Sequence, residues 1–224
     1  MSPRVKAYLT SINDPVAEKT DWTLAKPGGT SSQTQKFIVV SENRCELHQS
    51  SISKLTCWTM IIIGLCFWAV DLYFIINSKK FGLFLICGLS LITPGLLIGY
   101  FHSRIRVFDL ESGLSWIEPR PNNSQEFTRR KDCLKLSELH ALQIIPESVS
   151  IPSSGSTAGT NDRSSGSRFT SYELNLVRKN GTRLNIMDHG YPADLREDAE
   201  KLRNLLKIPI WDIELFTHEE NILD

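Results

Sequence analysis

The side chains with which this chain could do chemistry are 5 histidines, 5 cysteines and 25 carboxylates. The histidines are His48, His102, His140, His189 and His218, and no two stand three or four residues apart, so no helix can present a histidine pair to a metal ion. The cysteines Cys45, Cys57, Cys66, Cys87 and Cys133 form no CxxC and no paired framework. No GxSxG, Walker loop or GxGxxG occurs. Asp188 and His189 could pair as an orienting carboxylate and a base. Neighbours in an extended chain point to opposite faces, however, so a polar strand-to-helix turn is the better reading. The sequence therefore leads us to expect no catalytic residue, no metal, no cofactor and no enzymatic activity.

Two charged features remain. Arg129, Arg130 and Lys131 form a cationic triplet, diluted by Glu126 and Asp132. On a hairpin loop facing an anionic leaflet, each cation would gain about 1 kcal/mol from lipid; on a solvated turn it would gain nothing. Asp71 is the one charged residue inside an otherwise apolar run. Intramembrane carboxylates often mark proton or ion paths. Asp71 lies near the end of its run, close enough to the interface to pair with Lys79 or Lys80 or to reach water, and that interfacial reading is the favoured one.

The elements that must position these groups are of two kinds. Net charge is zero, with 25 Lys and Arg against 25 Asp and Glu, but residues 55–101 hold only Asp71, Lys79 and Lys80. Leu55 to Ile76 and Phe81 to Phe101 are each long enough to cross a hydrocarbon layer of roughly 30 Å as a helix. Both are apolar around their whole circumference, unlike the helices of a soluble hairpin, which carry a polar stripe. Trp58, Tyr73, Tyr100 and Phe101 suit the aromatic belts at the interfaces, whereas Trp68 is central and should pack between the helices. Arg44, Lys54, Arg104 and Arg106 flank the hairpin against Lys79 and Lys80 in its turn, which places both termini in the cytoplasm. The balanced charge excludes a nucleic-acid binder, which needs a basic surplus.

Outside the hairpin the chain divides into an irregular arm (1–34), a β-hairpin leading to the membrane (35–54), a domain (102–211) with a flexible Ser/Gly loop (152–168), and an acidic tail (212–224). Strands are expected at Lys36 to Val40, Arg44 to His48, Arg104 to Asp109, Leu114 to Ile117, Gln125 to Thr128, Leu134 to Leu136 and from Leu142 on. Asn180-Gly181 between the alternating runs Tyr172 to Val177 and Arg183 to Met187 is a strong hairpin signal. A helix opens at Pro192, its buried stripe being Leu195, Ala199, Leu202 and Leu206.

This order of elements, together with Val107-Phe108-Asp109-Leu110-Glu111-Ser112-Gly113, Leu142 to Ile145, Tyr172 to Val177 and Leu205 to Trp211, resembles bacterial membrane-anchored proteins that carry a pleckstrin-homology-like (PH-like) domain. It is similar in layout to the photosystem I assembly factor of cyanobacteria and plastids, although the Ser/Gly loop departs from that layout. The resemblance implies an α+β fold: a two-helix transmembrane hairpin plus a PH-like antiparallel sheet or barrel closed by the C-terminal amphipathic helix. It also implies a multi-pass protein of the bacterial inner membrane. With no chemistry in its motifs, the chain reads as a scaffold or assembly-type protein whose partners are the lipid bilayer and an unidentified protein or a second copy of itself. The alternative is a reader of anionic lipid headgroups through Arg129 to Lys131. The part after the hairpin leans acidic, which makes a protein partner the stronger expectation for the domain itself.

Overall fold

The chain was analysed as a computed structural model, which describes residues 3–78, 84–151 and 167–215. In chain order the elements are α1 (Pro3–Ile12), α2 (Pro15–Lys19), β1 (Gln35–Ser41), β2 (Arg44–Gln49), α3 (Ser51–Ser78), α4 (Phe84–His102), β3 (Arg106–Asp109), β4 (Leu114–Ile117), α5 (Ser124–Arg129), β5 (Leu134–Lys135), β6 (Leu139–Ile151), β7 (Ser167–Arg178), β8 (Arg183–His189), α6 (Pro192–Leu206) and β9 (Ile210–Asp212). The expected linker falls outside the described residues except at its end, where Ser167 and Arg168 open β7. Lys79, Lys80 and most of the acidic tail also fall outside them.

The fold is α+β, with two long apolar helices and two sheets. Sheet A runs β1-β2-β3-β4-β5 and is antiparallel throughout. Sheet B runs β8-β7-β6-β9, antiparallel except that β9 lies parallel to β6. Among the described residues the two sheets do not close into a barrel, so the barrel form of the expectation is replaced by an open pair.

Turn chemistry set several of these pairings. Gly181, at φ 84°, turns the chain between β7 and β8, and Gly113, at φ 66°, between β3 and β4; both need the left-handed region that glycine enters without strain. Pro192 opens α6, and its buried face is Leu195, Asp198, Ala199, Leu202 and Leu205. Leu206 is only partly buried against that core, so the stripe ends one residue earlier than expected. Phe37, Leu47 and Phe108 of sheet A, Leu142, Ile144, Leu174, Leu176 and Met187 of sheet B, and the α6 leucines form one core. Each large side chain buried there contributes roughly 1.5–3 kcal/mol.

Two expectations are corrected. Residues 125–128 are helical, not extended: the Asn123 side chain accepts from the Glu126 amide at 2.8 Å, and Glu126 accepts from the Asn122 amide at 2.8 Å, a reciprocal cap that starts α5. The N-terminal arm contains ordered helix. Val5, Tyr8 and Leu9 of α1, Ala17 of α2 and Trp22 pack on Ala141, Val177 and Trp211 and cover the outer face of sheet B.

The helical hairpin is joined to sheet A with little slack. One residue, Ser50, separates β2 from α3. Its hydroxyl donates to the Gln33 carbonyl at 2.5 Å and accepts from the Ser53 amide at 3.1 Å, so it caps α3 while tying it to the arm. The neighbouring strands β2 and β3 are thus joined to the two helices, β2 leading into α3 and α4 leading into β3. Within the hairpin the backbones touch: a Cβ on Gly64 would lie 2.6 Å from Ile92 Cγ1, and one on Gly88 would lie 2.7 Å from the Gly64 carbonyl oxygen. Trp68 packs across this contact, its indole N–H donating to the Leu85 carbonyl at 3.1 Å, which agrees with its expected place between the helices. By length and composition both helices could cross a membrane, and among the described residues only 11% of each apolar window is buried, so most of their apolar surface faces outward.

Candidate functional site

Among the described residues no group of three or more His, Cys, Asp or Glu side chains is placed to hold a metal ion. Asp188 and His189 diverge as strand alternation requires. Asp188 accepts from Asn185 Nδ2 at 2.9 Å and faces Lys26 at 4.0 Å. His189 is fully buried, its Nδ1 accepting from the Tyr191 amide at 2.8 Å, with no partner on Nε2 among the described residues. Burial pushes the His189 pKa down and the Asp188 pKa up.

The cationic triplet is divided between two tasks. Arg130 follows α5 and turns inward. It pairs with Asp132 at 2.6 Å and donates to the Pro119 carbonyl at 2.5 Å and to the Ile117 carbonyl. These bonds fasten the end of β4 to the β5 approach, and the Arg130 hydrogen bond holds the Asp132 carboxyl below its ordinary range. Arg129 and Lys131 are exposed and make no ion pair among the described residues. Arg130 is thus committed within the fold, and the triplet lies at a helix end and the turn after it, not on a β-hairpin loop.

Asp71 is 1% exposed on α3, and neither carboxylate oxygen has a hydrogen-bond partner among the described residues. Its expected partners, Lys79 and Lys80, lie outside those residues.

Sequence reasoning missed two features. The first is a strap, residues 21–32, that runs from α2 across sheet B. Glu173 of β7 accepts from the Ala25 amide at 2.9 Å and the Lys26 amide at 2.5 Å, and Glu147 of β6 accepts from the Gly28 and Gly29 amides at 3.0 and 2.8 Å. Arg183 donates to the Thr23 carbonyl at 2.6 Å. Backbone donors have no side-chain signature, so no motif announces the strap.

The second is the outer edge of β1. The Ser50 amide donates to the Thr34 carbonyl across the ladder, so the groups of even-numbered residues 34 to 38 face β2 while those of Gln35, Phe37 and Val39 face outward. Asp198 of α6 accepts from the Phe37 amide at 3.2 Å, and beyond that contact Ile38, Val39 and Val40 are 37%, 57% and 54% exposed. Measured along β2, this apolar edge lies about 20 Å from the start of α3.

No protein-family model matches the chain, and no curated protein or solved structure matches it.

Proposed function

We propose that the α3–α4 hairpin crosses a bilayer and that the sheet domain it carries holds a partner protein as an added strand on the open edge of β1. The exposed run Ile38-Val39-Val40 carries this reading. Natural sheets shield their edges with charge, proline or a covering element, because an apolar edge with free backbone groups is a template for another strand. Among the described residues, α6 covers the edge only as far as Phe37. The occupant is an extended segment with apolar side chains, bound through main-chain hydrogen bonds and the valine and isoleucine surface.

The hairpin supports the anchoring half. Trp58, Tyr73, Tyr100 and Phe101 point outward near the helix ends, as interfacial rings do, and the apolar sides between them would be costly in water. We place both termini on the cytoplasmic side of a bacterial inner membrane, from the cations that flank the hairpin. Cys133 is buried and cannot report this, but an exposed Ser137→Cys should be labelled only from the cytoplasmic side. The two sheets with α6 against them are read as an open variant of the PH-like plan, serving as a non-enzymatic scaffold.

Affinity purification of the full chain in mild detergent tests the proposal. Wild type should retain a stoichiometric partner that Ile38→Lys with Val40→Lys loses, while the variant stays folded and membrane-bound. Retention by the variant, or a partner that binds equally when residues 55–101 are exchanged for an unrelated hairpin and β1 is charged, would refute it.

A further inference from the structure

Arg106, the first residue of β3, is 7% exposed. Of the five N–H donors on a guanidinium, it uses one among the described residues, to the Asp132 carbonyl at 3.0 Å. No carboxylate among the described residues forms an ion pair with it, since the Asp132 side chain is taken by Arg130 at 2.6 Å. Burying an unpaired cation costs several kcal/mol, and folding does not incur that cost for the β3 ladder, which any β-former would make. The side chain faces the same way as Phe108, towards sheet B, and lines a cleft of about 380 Å³.

That cleft lies where the hairpin meets the domain. Phe101 and Arg104 from the end of α4 form one wall, Leu47 and Arg106 of sheet A the floor, and the open edge of β8 with Asp188 the opposite wall, where Lys26 of the strap leans over. Arg104 is exposed, with its guanidinium 5.3 Å from the Tyr100 ring centre. Three cations therefore face one carboxylate. Asp188 is held above the ordinary carboxylate range, chiefly by burial.

We propose that this cleft binds a phosphate-bearing anion, with Arg106 as the buried anchor and Arg104 and Lys26 as the rim, and that the source is a phospholipid headgroup of the adjacent leaflet. A guanidinium with four unused donors matches phosphate oxygens in geometry and charge. The lipid source rests on the reading of α3 and α4 as membrane-spanning; the anion chemistry does not. This site is separate from Arg129 and Lys131, which do not line the cleft.

The test uses the full chain in a neutral detergent, with three probes: phosphatidylglycerol, phosphatidylcholine of equal chain length, and inorganic phosphate. Native mass spectrometry should show phosphatidylglycerol retained over phosphatidylcholine. Arg106→Gln should weaken that retention at least about tenfold, as expected for losing charge-assisted hydrogen bonds. Because Arg106→Gln can also disturb folding, the surface double variant Lys26→Gln with Arg104→Gln provides a second reading and should weaken retention several-fold. Asp188→Asn should strengthen it, and Arg129→Gln with Lys131→Gln should leave it unchanged. If inorganic phosphate competes and stabilises the protein while neither lipid is preferred, the anion site stands and the lipid source is overturned, a result independent of whether the hairpin spans a bilayer. If no probe discriminates, or the double variant and Arg106→Gln both bind like wild type, the proposal is overturned.

Discussion

Replacing Glu173 by Gln should release the N-terminal strap from sheet B without unfolding the domain. Glu173 is 1% exposed and accepts three hydrogen bonds, from the Ala25 and Lys26 amides and from Asn175 Nδ2 at 3.1 Å. Glutamine keeps one oxygen, so one strap amide loses a charge-assisted bond and faces an NH₂ group. A hydrogen bond to a charged group contributes about 1.5–3 kcal/mol, and an orphaned buried donor costs a similar amount. Removing the negative charge relieves repulsion with Asp188, which Glu173 pushes upward, so part of the loss is returned. The net is about 2 kcal/mol against docking of the strap, or roughly thirtyfold less protection at 1.36 kcal/mol per decade. Hydrogen exchange followed by mass spectrometry on peptides covering residues 21–34 reads this directly. Glu147→Gln, at a more exposed site, should cost only a few-fold. Unchanged exchange in the strap, or an equal rise throughout sheet B, would refute the reasoning.

Other perturbations have equally definite outcomes. His189 is buried and its folded pKa is lowered, so on acidification the unfolded ring takes up a proton near pH 6.5 before the folded one does; stability should fall as pH drops below that value, and His189→Asn, which keeps an acceptor for the Tyr191 amide, should flatten the melting-temperature profile there. Arg130→Ala should cost about 1–2 kcal/mol by urea unfolding, discounted for partial exposure of the pair. The part due to Asp132, whose pKa Arg130 lowers, is present above about pH 4 and lost below it, so the variant and wild type should converge in acid. Gly88→Leu drives a side chain into Trp68 and the Gly64 carbonyl and should lower detergent thermal stability by the equivalent of about 1–3 kcal/mol, whereas Leu89→Ala on the exposed side should not.

The local signals that proved reliable in the sequence were those with one geometric solution. Asn180-Gly181 required a tight turn, Pro192 with the leucine stripe required a helix against the core, and two long runs with a single charge between them, Asp71, required long apolar helices. Other local signals are carried by shorter segments. Val5, Tyr8, Leu9 and Ile12 follow the spacing of a helix stripe, Asp14 before Pro15 is a helix start, and Asn123 with Glu126 is a capping pair. The strap and the Arg106 cleft had no local signal, because one is made of backbone amides meeting carboxylates about 120 to 150 residues away and the other of side chains from the strap, the α4–β3 junction and β8, which are far apart in the chain. Of the partners that commit Arg130 to the fold, Asp132 stands two residues away in the sequence, but the carbonyls of Ile117 and Pro119 are main-chain atoms that no sequence pattern marks.

The open edge of β1 is the central claim, and a proline can test it. Val39 points its amide outward, so Val39→Pro removes a donor that the β2 ladder does not use, a position where edge strands tolerate proline. With a photocrosslinker at Val40 in living cells, the otherwise unaltered chain should give one discrete adduct, and Val39→Pro should abolish it while melting temperature and membrane sedimentation stay unchanged. An adduct that survives Val39→Pro, or that forms equally from a crosslinker at exposed Glu200 on α6, would contradict strand addition at this edge.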